Sequence, residues 1–416
     1  MNSFILTILS IPAVVVLLSN VTLSLFIFIA ILPLDSIVIG DIGGIPKLIG
    51  IATFAAFLIS WAIRKKPIRW DRSLSIYILF LCIGLLSFFW SSNPDLTFEA
   101  FITYLLAFMI PFLILNVCED KRTLHIKKVA LAAAGVITVC SGLIDLFQVL
   151  GTSGRVVGIV ENANGYATWC IITLPGLYWL WAKWRSWLGR VVLITIFAGL
   201  LFTILYSLSR GGYISLLVFV LSVVLLSRIK LRTLFLFILI GLLVFGFWPE
   251  EQTARFTNLL AGNELRIQTL WPEGIETFLK APLVGFGLGT NVYIIGREYG
   301  RGLSVHSAPL AIAIELGLIG LLPYLFFIIS ILFQSFRVLK HLRIAQSDLY
   351  PLQITMIAAF FAFLFSWAKG GGMEYSKSLF LMSGLLLAIN RLGAADIVLA
   401  IPQIEPVYPL RLMKNL

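Results

Sequence analysis

Twelve long apolar stretches, with almost no charged residues inside them, constrain the fold of this chain more than any other feature. They lie near residues 4–34, 46–63, 73–90, 98–117, 128–150, 164–182, 189–208, 213–227, 232–249, 307–333, 352–368 and 379–390. A helix needs about 20 apolar residues to cross the hydrocarbon core of a bilayer. Only 12% of the residues are charged, whereas soluble domains carry about 25%. The sequence therefore predicts an all-α polytopic transmembrane helical bundle and excludes a soluble globular enzyme.

The number of spans depends on the first apolar stretch. It is long enough for one tilted helix, which gives twelve spans, or for two short halves broken near Ser19 and Asn20, which gives thirteen. No basic region precedes it and no cleavage site of small residues follows it, so we expect a retained span and not a signal peptide. Because no repeat or linker divides the chain, we predict a single integral-membrane domain over 1–416, with one loop, 250–306, inserted between spans.

Basic residues are concentrated in alternate loops. One set of loops, with the C-terminal tail, contains 21 of the 31 Lys and Arg residues against 6 acidic residues, a balance of +15. The opposite loops hold 10 basic and 12 acidic residues, and Asp145 and Glu315 inside spans complete the net charge of +11. Cytoplasmic loops collect Lys and Arg, so the first set and both termini are predicted to be cytoplasmic and loop 250–306 extracytoplasmic. This distribution explains the positive charge without a nucleic-acid partner.

Loop 250–306 contains a helical pattern of its own. Asn263 is a suitable N-cap for a helix that runs through about Lys280, and Pro272 is expected to kink it. The apolar residues of this segment recur at helical spacing and form one stripe: Ile267, Trp271, Ile275 and Phe278. We expect this amphipathic helix to lie on the membrane surface or to cap a cavity.

Arg210 is the most unusual charge on the predicted extracytoplasmic side. It lies between two apolar spans with almost no loop, and Gly211 and Gly212 follow it. Glycines let backbone N–H groups approach a ligand closely, and arginine binds phosphate oxygens through two parallel hydrogen bonds. The segment therefore predicts an anion-binding site at the outer membrane edge. An arginine that extends to the lipid headgroups is the alternative.

His306 is the only histidine outside the predicted cytoplasmic face, and it directly precedes the span that begins at Ser307. A neutral imidazole accepts a proton from an attacking hydroxyl or forms a hydrogen bond with it. This position predicts a catalytic group, although an interfacial residue at a helix start would also explain it.

Other polar and glycine-rich positions have structural explanations. Asn162 and Asn164 begin a span from the outside, and helix capping explains one of them. Glu315 lies inside a span, which implies a polar partner, and we expect it to be structural. The glycines between Gly285 and Gly289 have the spacing of a phosphate loop, but no strand precedes them, so a turn is predicted. No cluster of ligand residues predicts a metal site, and the cysteine spacing predicts no disulfide framework.

The order of these residues resembles the O-antigen ligase and polymerase family. The central match is Ser209-Arg210-Gly211-Gly212-Tyr213 followed by an apolar span. The downstream match comprises Arg266, Leu270-Trp271, Pro282, Gly285 to Gly289, His306-Ser307, Leu310, Glu315, Gly317 and Gly320. Trp90-Ser91-Ser92-Asn93-Pro94 and Asn162-Ala163-Asn164 fit upstream, so the resemblance covers residues 85–330.

The resemblance implies a membrane glycosyltransferase of type-C architecture that takes a glycan from undecaprenyl diphosphate on the periplasmic face of the bacterial inner membrane. The acceptor is lipid A–core oligosaccharide in a ligase and another lipid-linked glycan in a polymerase. The reaction is expected to be inverting and to need neither a metal nor a cofactor. The resemblance implies that Arg210 and Arg266 hold the diphosphate and that His306 engages the acceptor hydroxyl. The predicted substrate-binding residues further include Asn162, Asn164, Gly211 and Gly212.

A transporter or flippase of lipid-linked polysaccharide is the alternative from a different class. It predicts polar groups near the middle of the membrane, discontinuous helices and internal repeats. The sequence shows no evident repeat, and its informative polar groups collect at one face. Fixed arginines at that face would stabilise the charge on a departing diphosphate, which favours the transferase.

Overall fold

The computed structural model describes residues 15–34, 37, 44–150, 154–227, 265–370 and 376–400. Within these residues the secondary structure is helical and contains no strand. The α-helices, in chain order, are α1 Val21–Ile31, α2 Ile45–Arg64, α3 Arg72–Leu86, α4 Pro94–Val117, α5 Lys121–Val149, α6 Ala163–Ile172, α7 Leu174–Lys183, α8 Trp187–Tyr206, α9 Arg210–Ser227, α10 Trp271–Lys280, α11 Asn291–Tyr299, α12 Ala308–Ile344, α13 Tyr350–Lys369 and α14 Lys377–Ala400.

In the described part of the chain, nine helices are long and apolar enough to cross a membrane: α2, α3 with the turn that follows it, α4, α5, α8, α9, α12, α13 and α14. The all-α polytopic bundle is therefore confirmed. Helix α1 is shorter, and the predicted span 164–182 is divided at Thr173 into α6 and α7. The predicted span 232–249 lies outside the described residues, so the count of twelve stays a prediction.

Local sequence explains where many of these helices begin. The side chain of Asp120 accepts a hydrogen bond from the Thr123 N–H at 2.7 Å, and the Thr123 hydroxyl returns one to the Asp120 N–H at 3.0 Å. Asn93 caps α4 directly before Pro94, whose missing N–H is harmless in the first turn. Such caps satisfy backbone N–H groups that have no partner inside the helix.

Aromatic side chains join the helices at the centre of the bundle. Tyr77 of α3 is fully buried, and its ring stacks on Phe108 of α4 with 5.7 Å between ring centroids. Its ring also lies 5.0 Å from Phe327 of α12 and 5.2 Å from Phe380 of α14. The buried cluster that contains these rings draws residues from α1 to α14. The interpretation of 1–416 as one domain stays a prediction.

Helix α12 is interrupted near its beginning. Gly317 has a φ of 58° and a ψ of −161°, so the predicted span that begins near 307 changes direction there before it continues to Ile344. The turn before α11 packs against this break. Its N–H groups at Phe286 and Gly287 donate to the carbonyls of Ile314 (3.1 Å) and Glu315 (2.8 Å). Backbone groups that lose their helical partners are thus paired again.

The other half of this pairing runs in the opposite direction. The N–H groups of Leu318 and Ile319 donate to the carbonyls of Pro282 (2.9 Å) and Leu283 (3.1 Å). We name this unit, residues 282–287 paired with residues 314–319, the clasp. A Cβ at Gly317 would overlap the carbonyl of Leu283, so only glycine fits this approach.

The described half of loop 250–306 agrees in part with the predicted amphipathic helix. Arg266–Leu270 forms a π-helical turn that leads into α10, and Pro272 occupies the first turn of α10. Ile267 and Ile275, from the predicted stripe, are exposed. The proposed N-cap, Asn263, lies outside the described residues. Helix α11, which follows the clasp, was not predicted.

Candidate functional site

One end of the bundle holds a polar cavity of about 240 Å³. It brings together residues from the predicted site that are far apart in the chain: Asn162, Asn164, Gly212, Arg266 and His306. The other lining residues are Val160, Gly165, Thr168, Trp169, Ser366, Lys369, Gly370, Ser376 and Ser378. The charge pattern of the loops predicts that this end is extracytoplasmic.

Asn162 and Asn164 have different structural tasks at the cavity wall. The Asn162 side chain caps α6, because it accepts from the N–H groups of Asn164 (2.9 Å) and Gly165 (3.0 Å). The side-chain oxygen of Asn164 accepts from the Ser209 hydroxyl at 2.6 Å, and Ser209 accepts from the Gly212 N–H at 3.0 Å. This chain of hydrogen bonds fixes the first turn of α9 against α6. The expected substrate-binding role of both asparagines stays a prediction.

The two glycines after Arg210 allow neighbouring helices to approach α9. A Cβ at Gly212 would lie 2.5 Å from the Cβ of Ala167 in α6. A Cβ at Gly211 would overlap the ammonium group of Lys369 at the end of α13. Each glycine therefore has a packing reason, in addition to the predicted approach to a ligand. Arg210 itself is half-buried and begins α9 but is not among the lining residues.

Arg266 is held in place by the end of α13. Its Nη1 donates to the carbonyl oxygen of Lys369 at 3.1 Å. The last carbonyls of a helix carry partial negative charge and favour a cation. Arg266 is also the first residue of the π-helical turn, and π-helical turns occur frequently at functional sites.

His306 has a left-handed backbone conformation, with a φ of 51°. Its N–H donates to the Ser304 hydroxyl at 3.4 Å, and its side chain lines the cavity beside Arg266. Burial, and then the positive charge of Arg266, lower the pKa of the imidazole below its usual value of 6.5. The neutral form is therefore favoured at neutral pH, and this form can accept a proton.

Lys369 is the lining residue that the sequence interpretation did not single out. It ends α13, and its Nζ lies 5.7 Å from the ring centroid of Phe365. The only signal in the sequence is a lysine at the predicted extracytoplasmic end of an apolar span. Its proximity to Arg266 and Gly211 depends on the packing of distant segments.

Glu315 lies apart from the cavity and belongs to the clasp. Its side chain is buried and accepts a hydrogen bond from the side-chain amide of Asn291. The polar partner expected for a carboxylate inside a span is thus present. The glycines at 285, 287 and 289 all have positive φ and lie in non-helical structure, so the predicted turn is confirmed.

The upstream motif at residues 90–94 supports the same unit. The Ser92 N–H donates to the carbonyl of Phe286 at 2.8 Å, and the indole N–H of Trp90 donates to the carbonyl of Val284 at 3.1 Å. Motifs that lie far apart in the sequence therefore form one scaffold with the clasp. This scaffold supports the beginning of α12, next to His306.

The charges around the cavity are of one sign. Arg266 and Lys369 line it together with a histidine, and none of the lining residues is acidic. The remaining polar lining groups are amides and hydroxyls, which also hydrogen-bond to oxyanions. Such a lining is suited to an anionic group with several oxygen atoms.

An apolar cavity of about 730 Å³ adjoins the polar one. The two cavities share Trp169, Ser376 and Ser378. The apolar cavity extends between α1, α2 and α4, and much of its wall consists of side chains such as Phe28, Phe54 and Met109. A ligand that occupied both cavities would need an anionic group joined to an apolar chain.

Comparison with known proteins agrees with the resemblance found in the sequence. The matched segment begins inside α8 and ends inside α12, and it contains Arg210, Arg266, His306 and Glu315. No curated protein matches the chain. Residues 194–325 match the family model described as O-antigen ligase, which confirms the resemblance of this chain to the O-antigen ligase family.

Proposed function

We propose that this protein transfers a glycan from undecaprenyl diphosphate to an acceptor hydroxyl on the periplasmic face of the bacterial inner membrane. The family match supports glycan transfer of the O-antigen ligase or polymerase type. The observation that carries the finer proposal is the position of Arg266 and His306. Both lie within the matched segment and line one cavity that has no acidic lining residue.

The adjoining cavities support an amphiphilic donor. The diphosphate would occupy the polar cavity, where Arg266 faces it and Arg210 begins the neighbouring helix. The isoprenoid chain would extend into the apolar cavity beyond Trp169. Burial of apolar surface adds affinity in proportion to area, so the lipid chain would hold the donor while its glycan faces the periplasm.

The proposed reaction is a single displacement with inversion. The acceptor oxygen attacks the anomeric carbon as the bond between that carbon and the diphosphate oxygen breaks. The bonding electron pair stays on the diphosphate, and the hydroxyl proton passes to the neutral imidazole of His306. Fixed cations stabilise the negative charge that develops on the leaving group, so the proposal includes no metal.

Substitution of the three matched polar residues tests this proposal. We expect Arg210→Ala, Arg266→Ala and His306→Ala each to abolish glycan transfer in cells, while the protein still accumulates in the membrane. Removal of one preorganised stabilising group typically lowers kcat by about 10²–10³-fold. Normal surface glycan in the Arg210→Ala strain would refute the assigned role.

The acceptor is identified by a reconstitution experiment. The purified protein in vesicles is incubated with undecaprenyl-diphosphate glycan alone, and the products are separated by size. Longer lipid-linked chains would identify a polymerase. A product that forms only after lipid A–core is added would identify a ligase.

One observation keeps a transporter or flippase as the second proposal. The interruptions at Thr173 and Gly317 are discontinuities of the kind that transporters use near their substrates. At Gly317, however, the clasp pairs the freed backbone groups. Movement of labelled lipid-linked glycan across vesicles, without any transfer to an acceptor, would favour the transporter.

A further inference from the structure

We propose that Lys369 is a third diphosphate-binding cation of the transfer site. This inference rests on the proposed function, because it assigns Lys369 to the donor of that reaction. Lys369 lies outside the segment that matches the family model. The proposal is carried by its position in the cavity and by its contacts with Arg266 and α9.

The end of α13 delivers two cations to the same cavity. The carbonyl oxygen of Lys369 accepts the hydrogen bond from Arg266, and both side chains line the cavity. Like charges that are held together in a partly enclosed space repel each other, and an anion between them relieves this repulsion. None of the residues that line this cavity is acidic, so a bound anion is the partner that the lining suits.

The Arg-Gly-Gly segment is shaped around the lysine. The ammonium group of Lys369 packs against Gly211, where any larger residue would displace it. Gly211 directly follows Arg210, so the lysine lies beside the start of the helix that carries the arginine. The fold thus brings Arg210, Arg266 and Lys369 towards one end of the bundle from three separate segments.

The charge of the leaving group supports a third cation. A diphosphate that is esterified at both ends carries two negative charges, and it gains a third when the glycosidic bond breaks. Two arginines and one lysine match the charge of the product. We assign Lys369 to donate a hydrogen bond to a diphosphate oxygen, without transfer of its proton.

Three variants test this assignment by glycan transfer in reconstituted vesicles. Lys369→Met removes the charge but keeps the length of the side chain, and we expect transfer to fall by about 10²-fold or more, as for loss of one stabilising donor. Lys369→Arg restores the charge and is expected to recover part of the activity. The matched control is Lys280→Met, because Lys280 is an exposed lysine of α10 that pairs with Glu298 at 2.8 Å. We expect this control to keep the transfer rate of the unmodified protein.

A binding measurement gives a second readout. Undecaprenyl diphosphate and undecaprenyl monophosphate are titrated against the purified protein and the Lys369→Met variant. We expect the substitution to weaken binding of the diphosphate by at least tenfold and to change binding of the monophosphate less.

The possible results separate this inference from the proposed function. If Lys369→Met transfers glycan and binds the diphosphate normally while Arg266→Ala is inactive, the role of Lys369 is wrong and the proposed function stands. If the unmodified protein transfers no glycan but Lys369→Met still loses diphosphate binding, the binding site stands and the proposed reaction is wrong. A Lys369→Arg variant that folds normally but is as inactive as Lys369→Met would contradict a role based on charge.

Discussion

At the scale of single residues, His306 combines a strained backbone with a side chain suited to catalysis. Its φ of 51° lies in the left-handed region that residues other than glycine and asparagine rarely adopt. Such a conformation costs about 1–3 kcal/mol and persists where the surrounding structure enforces it, often at active sites. The imidazole therefore carries the proposed role at some cost in stability.

This conflict predicts that function and stability separate in His306→Gly. Glycine accepts the left-handed conformation, so we expect an unfolding temperature at least equal to that of the unmodified protein, together with loss of glycan transfer. His306→Ala is the control, since it loses the imidazole but keeps the backbone strain, and it should unfold at a lower temperature than His306→Gly. Thermal unfolding in detergent and transfer in vesicles provide the measurements. Retained transfer in His306→Gly would contradict the role of the imidazole.

The pH dependence of transfer follows from the same residue. Burial and the charge of Arg266 lower the pKa of His306 below 6.5, and the neutral form is the one that accepts the proton. Transfer should therefore be constant near neutral pH and fall only as the pH drops below 6.5 through the lowered pKa. Below 6.5 the unfolded protein binds this proton more readily, so the folded state is also destabilised there.

Arg266→Gln provides the comparison for this profile. Loss of the positive charge should raise the pKa of His306 and move the acid limb of kcat/KM to higher pH, even where overall activity is low. The position of the limb is the readout, and its height is not. An acid limb at or above pH 6.5 in the unmodified protein would show that the lowered imidazole pKa does not govern transfer.

At the scale of elements, the clasp is the device that positions the start of α12. It depends on Gly317, whose positive φ and contact with the Leu283 carbonyl both exclude a side chain. Three glycines allow these two effects to be separated. Gly300 has a φ of 68° with open space around it, and Gly302 has open space without a positive φ.

We expect graded losses of stability in the corresponding alanine variants. Gly302→Ala should be neutral, and Gly300→Ala should lose about 1 kcal/mol, the cost of a left-handed alanine. Gly317→Ala should lose considerably more, because its Cβ also collides with backbone atoms. Thermal unfolding of the three purified variants measures the order. Equal losses in Gly300→Ala and Gly317→Ala would show that the clasp tolerates separation.

The elements also show which features the sequence could predict. The cap at Asn162 and the turn at residues 285–289 depend on neighbouring residues, so their local patterns were sufficient. The hydrogen bond between Asn164 and Ser209 spans 45 residues, and that between Arg266 and Lys369 spans 103. No local pattern encodes such contacts. Lys369 and the break at Gly317 therefore appear only once the helices are packed.

At the scale of the whole molecule, the two ends of the bundle differ in charge. The polar cavity lies at one end, and the loops predicted to be cytoplasmic hold most of the basic residues. Arg69 and Lys66 lie in such a loop between α2 and α3. Because basic loops are retained in the cytoplasm, the cavity should face the periplasm, where the proposed donor presents its glycan.

Cysteine labelling tests this orientation in intact cells. The natural cysteines, of which Cys82 and Cys140 are exposed, are first replaced by serine or alanine, and glycan transfer is checked. Leu303→Cys and Ile68→Cys then provide matched probes, because both side chains are about equally exposed, at 45% and 46%. A thiol reagent that cannot cross the inner membrane should label Leu303→Cys in cells with a permeable outer membrane, and Ile68→Cys only after lysis. The reverse pattern would place the cavity on the cytoplasmic side, where undecaprenyl-diphosphate glycan bound from the periplasm could not reach His306, and the proposed function would fail with it.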